Sequence, residues 1–83
     1  MQVMVELSLY PLVNEYIPPI QDFIDRLNSY SDITVSTSST STQVTGDYGV
    51  VMKVLGEEMQ RTHEEVGQAI FRGQVLKLRC HAI

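Results

Sequence analysis

The chain has 83 residues, 43% of them hydrophobic and 19% charged, which describes one small folded domain and excludes a disordered chain or a two-domain protein. Its net charge of −4 opposes a phosphate backbone, and its six Lys and Arg residues form no stripe, so nucleic acid is not an expected partner. A single cysteine, Cys80, excludes a disulfide framework, and no apolar run reaches the length of a membrane span.

Residues alternate from Gln2 onward without a basic start or a long hydrophobic stretch, so no signal peptide is expected and the cytoplasm is the expected compartment. A core this small yields only a few kcal/mol of net stability, and with disulfides and structural zinc set aside, self-association is the remaining source of more.

Val3, Val5, Leu7 and Leu9 alternate with Met4, Glu6, Ser8 and Tyr10, which predicts a strand with one apolar and one mixed face, ended by Pro11. Asn14 is a candidate cap for a helix whose first turn accepts Pro18 and Pro19, because the amides they lack would be unpaired there. Ile17, Ile20, Ile24 and Leu27, with Phe23 beside them, form its apolar stripe.

After a turn over residues 29–32, Ile33, Val35 and Thr37 alternate with Thr34, Ser36 and Ser38 in a second strand. Residues 36–42 are Ser and Thr throughout. Flanked by Val35 and Val44, they predict a hairpin turning at 38–40 and a third strand over 41–45.

Gly46 breaks the pattern and Asp47 can cap a second helix, in which Val50, Val51, Val54, Leu55, Met59 and Thr62 follow helical spacing. Gly56 inside it costs about 1 kcal/mol against alanine. A last strand over 69–80 is expected to turn Leu76, Leu78 and Cys80 to the core and Val75, Lys77 and Arg79 outward, with a bulge at Gly73.

Strand, helix, strand, strand, helix, strand is the βαββαβ order of an α+β, ferredoxin-like domain over residues 1–83, with a four-stranded antiparallel sheet and two helices on one face. The other face is expected to carry Glu6, Ser8, Tyr10, Gln43, Thr45, Lys77 and the hairpin hydroxyls, and to be covered by a partner subunit.

Four blocks carry a resemblance: Glu6-Leu7-Ser8-Leu9-Tyr10-Pro11-Leu12, Tyr16-Ile17-Pro18-Pro19-Ile20, Ser41-Thr42-Gln43-Val44-Thr45-Gly46 and Val51-Met52. In order and spacing they resemble the thiamine-binding, YkoF-related family. The resemblance implies a ferredoxin-like homodimer or homotetramer that binds thiamine or its hydroxymethylpyrimidine moiety without changing it and uses no cofactor. The chain departs from the family pattern at Ser38, Thr40 and Gly49, and after Lys77.

On this resemblance the candidate ligand-binding residues are Glu6, Ser8, Tyr10, Thr37, Ser38, Ser41, Thr42, Gln43 and Lys77. Hydroxyls and the Gln43 amide match a pyrimidine's ring nitrogens and amino group, Tyr10 supplies an aromatic wall, and Glu6 either balances the thiazolium cation or accepts from the aminopyrimidine, with Lys77 setting its charge and orientation. A plainer reading also accounts for these residues. Ser and Thr favour strands and pair across them, and Glu6 with Lys77 makes a cross-strand ion pair. Cys80 is read as a core thiol, and His63 and His81 as surface residues, because no orienting acid or second ligand accompanies them.

Two other functions fit the fold. An acylphosphatase-like enzyme needs a phosphate-cradling loop after the first strand, and residues 10–14 contain neither a basic residue nor a glycine. A small isomerase needs a paired His or carboxylate, and only Glu6 is placed for that. A regulatory or assembly domain, in which the interface itself is the function, stays open.

Overall fold

The computed structural model describes residues 1–79. Its elements are β1 (Gln2–Pro11), α1 (Ile17–Asn28), β2 (Thr34–Thr37), β3 (Thr42–Asp47), α2 (Tyr48–Val66) and β4 (Ala69–Lys77). They form one four-stranded antiparallel sheet in the order β2-β3-β1-β4, the ferredoxin-like arrangement that the element order implied. Among the described residues no helix is long and apolar enough to cross a membrane.

The alternation of β1 decides which face is buried. Val3, Val5, Leu7 and Leu9 turn to the helices and, with Val44 of β3, meet Phe23 and Leu27 of α1 and Val51, Val54 and Leu55 of α2. Opposed residues of paired strands share a face, so the register Val5↔Val44, Val35↔Val44 carries the apolar row across the sheet.

Both helix starts follow from local chemistry. Asp47, extended, accepts the Gly49 amide and caps α2. Tyr16 stands at the N-cap position of α1 and makes no side-chain cap hydrogen bond, so Asn14 is not its cap; Pro18 and Pro19 stand in its first turn, where their missing amides cost least. Ile17, expected in the buried stripe, is 65% exposed, and Ile20 and Ile24 are half-buried.

The hairpin strands differ by a residue or two from expectation. β2 is shorter, and β3 starts at Thr42 and runs through Gly46, which pairs with Val3 instead of ending the strand. The last strand corrects the sequence reading most. Its pairing with β1 is unbroken from Val3↔Lys77 to Pro11↔Ala69, so Gly73 is no bulge. A Cβ there would overlap the Glu6 carbonyl oxygen and press on Leu7, and only glycine lets the strands approach this closely.

The register also reverses the expected faces of β4. Leu76 pairs with Met4 on the open face, whereas Val75 and Lys77 pair with Val5 and Val3 on the helix side. Val75 and Leu76 are each 53% exposed, and half-buried Leu78 lies outside the core. Lys77 and Glu6 therefore stand on opposite faces and make no cross-strand pair. The expected roles of Cys80 and His81 fall outside the described residues.

Candidate functional site

At the Pro11 end of β1 the chain encloses a cavity of about 590 Å³ between β1, the N-terminal half of α1 and the β2–β3 hairpin. Leu7, Leu9, Ile20, Phe23 and Ile24 form its apolar base and wall. Leu7 and Phe23 belong to the core, so the cavity reaches into the protein instead of lying on it. Tyr10, Leu12 and Tyr16 make an exposed lip, and the hydroxyl-rich residues 37–42 close the opposite side.

Different forces hold the three sides. The strand alternation of β1 sends Leu7 and Leu9 inward, and helical spacing sends Ile20, Phe23 and Ile24 toward them. The hairpin is closed by Ser38, whose amide donates to the Ser41 carbonyl at 2.9 Å and whose Oγ accepts the Ser41 amide at 3.1 Å and the Thr40 amide at 3.3 Å. Ser8 Oγ donates to the Thr40 carbonyl at 2.8 Å and ties the hairpin tip to β1.

Six of the nine candidate residues line this cavity: Ser8, Tyr10, Thr37, Ser38, Ser41 and Thr42. Thr42 pairs with Leu7 and Thr37 on the helix side of the sheet and is 6% exposed. Glu6 and Gln43 are brought together elsewhere. They are opposed on the open face, where Gln43 Nε2 donates to Glu6 Oε2 at 3.1 Å. Lys77 stands opposite Val3, about 13 Å along β1 from Leu7, the cavity residue nearest to it on that strand.

No lining side chain carries a formal charge. The cavity thus offers shape, apolar surface, aromatic edges and hydroxyls, which suit holding a small organic molecule. Among the described residues no group of three or more His, Cys, Asp or Glu side chains is placed to share a metal ion.

The helix side of the cavity was not anticipated. Ile20, Phe23 and Ile24 read as ordinary core from their spacing, and Leu12 and Tyr16, though part of the blocks that carry the resemblance, are not among the candidate ligand-binding residues. A usable signal was present in Leu12-Val13 and Tyr16-Ile17, four apolar residues exposed in and after a loop bracketed by proline.

A second polar cluster, between the helices, was also missed. Glu58, 2% exposed, accepts from Arg26 Nε at 2.7 Å and from the Tyr30 hydroxyl at 2.7 Å. Arg26 also donates from Nη2 to Thr62 at 2.7 Å, and Thr62 donates to the Glu58 carbonyl at 3.1 Å. Burial pushes the Glu58 carboxyl up, but the hydrogen bonds from Tyr30 and Arg26, with the charges of Arg61 and Arg26, outweigh it and hold it below the usual range. Its hydrogen bond to Glu58, then burial, raises the Tyr30 hydroxyl above its ordinary value.

No family description and no curated protein matches this sequence. Solved structures match its fold. Protein SP2199 of Streptococcus pneumoniae superposes with a TM-score of 0.88 at 20% identity, over 95% of this chain and 89% of that one. A Thermotoga maritima protein given a provisional role in thiamine biosynthesis or salvage superposes with a TM-score of 0.84 at 15% identity, over 94% and 85% of the two chains. Protein MJ1052 of Methanocaldococcus jannascii, described as hypothetical, gives 0.82 at 19% identity, over 98% and 84%. At these identities the likeness establishes the ferredoxin-like fold.

Proposed function

We propose that this protein binds thiamine or its hydroxymethylpyrimidine moiety in the cavity between α1, β1 and the hairpin, in the cytoplasm and without chemical change. The observation that carries the reading is the uncharged cavity of about 590 Å³, with an apolar floor and a hydroxyl rim. A flat, nitrogen-bearing ring suits that combination, since its faces fit the apolar wall and its edge meets hydroxyls. Two likenesses support the ligand class: the four sequence blocks, and the fold shared with the Thermotoga maritima protein given a provisional role in thiamine biosynthesis or salvage. A holding role is favoured because no carboxylate or imidazole lines the cavity to move a proton.

The same reading includes a homodimer or homotetramer. Tyr10, Ile70 and Leu76 project from the open face, each at least half exposed, and β4 is a nine-residue edge strand with an unpaired side. Sedimentation is expected to show at least a dimer at micromolar concentration; a 9.4 kDa species would count against it. For the ligand, titration calorimetry with thiamine and with hydroxymethylpyrimidine should give saturable binding, and no heat with either at millimolar concentration would refute the assignment.

A further inference from the structure

We infer that the cavity selects an uncharged ring and discriminates against cationic and phosphorylated forms of the same ring, with Thr42 as the side chain that reads the ligand's polar edge. The inference deepens the binding role proposed above and rests on it.

Three independent observations converge on this selectivity. The first concerns cations. A cation leaving water for this cavity meets no carboxylate, because none lines it. Glu6, although next to Leu7 in the chain, lies on the opposite face and holds the Gln43 amide. A thiazolium therefore loses hydration without gaining a counter-charge.

The second concerns anions. Helix N-termini bind phosphate through their free amides, and α1 starts beside the cavity, with Tyr16 and Ile20 in the lining. Pro18 and Pro19 remove two of those amides, no Lys or Arg lines the cavity, and the hairpin amides of Thr40 and Ser41 are turned onto Ser38. A phosphate group finds neither a cradle nor a cation.

The third identifies the reader. The Ser8 and Ser38 hydroxyls are already engaged, one on the Thr40 carbonyl and the other in the turn. Thr42 differs. It is more than nine-tenths buried and lines the cavity, and among the described residues its hydroxyl takes part in no side-chain hydrogen bond. Among the described residues no fully enclosed side-chain polar atom lacks a partner, so this hydroxyl keeps some open space beside it, and the cavity is the open space that Thr42 lines. Its partner comes from what fills the cavity: water in the free protein, a ring nitrogen or amino group in the complex.

The test is calorimetric titration of three probes that share one ring: hydroxymethylpyrimidine, its phosphate ester and thiamine. They are titrated into the wild type, Thr42→Val and Thr42→Ser, with thermal melts to show that each variant folds. The neutral alcohol is expected to bind at least about tenfold more tightly than either charged probe. Thr42→Val, which keeps volume and strand preference, should weaken the alcohol roughly three- to tenfold without moving the melting temperature, and Thr42→Ser should restore it.

Equal affinity for all three probes, or a charged probe binding best, overturns the selectivity and leaves the binding role standing. Unchanged affinity in Thr42→Val overturns the assignment of Thr42. Silence from all three probes overturns both the selectivity and the function beneath it.

Discussion

The two polar clusters of this domain are built on opposite terms. Between the helices, Glu58, Arg26, Tyr30 and Thr62 satisfy one another at 2.7 Å, and the carboxylate is sealed from water. At the cavity the groups are hydroxyls without charge, and among the described residues the Thr42 hydroxyl makes no side-chain hydrogen bond. A closed network fixes the position of α1 against α2; an unspent hydroxyl is available to a guest. Polarity alone does not mark a binding site, and the difference lies in whether capacity is already used.

The largest expected effect breaks the closed side. Glu58→Ala leaves Arg26 and Tyr30 facing a buried gap and should destabilise the fold by about 3 kcal/mol, read by chemical denaturation. For so small a domain that is a large share of the total. If the clusters are distinct, the fraction that remains folded should bind ligand with unchanged affinity.

Next in size is Gly73→Ala. Its Cβ would overlap the Glu6 carbonyl oxygen and press on Leu7, both part of the β1 backbone or core, so the strands must separate. A loss of roughly 1–3 kcal/mol is expected, with amide exchange accelerating first in β4.

Acid separates the clusters more gently. Because the folded-state pKa of Glu58 lies below its unfolded value, the stability it contributes is present above the unfolded pKa of about 4.3 and is lost as pH falls through the folded value. Melting temperature should therefore drop across that acid window in the wild type. The part of the drop due to Glu58 should vanish in Glu58→Gln, which cannot titrate.

The smallest effect is the most discriminating about location. Gln43→Ala removes a side chain bonded to Glu6 outside the cavity, so calorimetry should find ligand affinity changed by less than about twofold, in line with the small net worth of a hydrogen bond that touches no ligand. A tenfold loss would instead move the ligand onto the open face of the sheet.

How much of this was readable beforehand varied with the strength of the local signal. β1 alternates cleanly over eight residues, and α2 has both a cap and a stripe, so each was legible. In β4, Val75 and Leu76 are adjacent, both apolar and both half-exposed on opposite faces, so alternation could not say which looks inward. Pairing with β1 settles that, and pairing is a long-range fact.

Glu58 stood in the sequence at the right helical spacing from Val51, Val54 and Leu55, but a buried carboxylate makes sense only once Arg26 of α1 and Tyr30 just beyond its end are known to reach it. The cavity was half legible. Its hydroxyl rim is one continuous Ser/Thr run, whereas its helix wall is spread over residues 16–24 and looked like core.

The chain's three prolines all bracket one short loop: Pro11 before it, and Pro18 and Pro19 just after it. With both ends pinned in φ, the segment carrying Leu12 and Tyr16 has few alternative shapes to give up when a molecule enters. Pre-shaping of this kind leaves the arrival rate set mainly by diffusion into an open mouth, so closely related guests would arrive at nearly the same speed and differ in how long they stay.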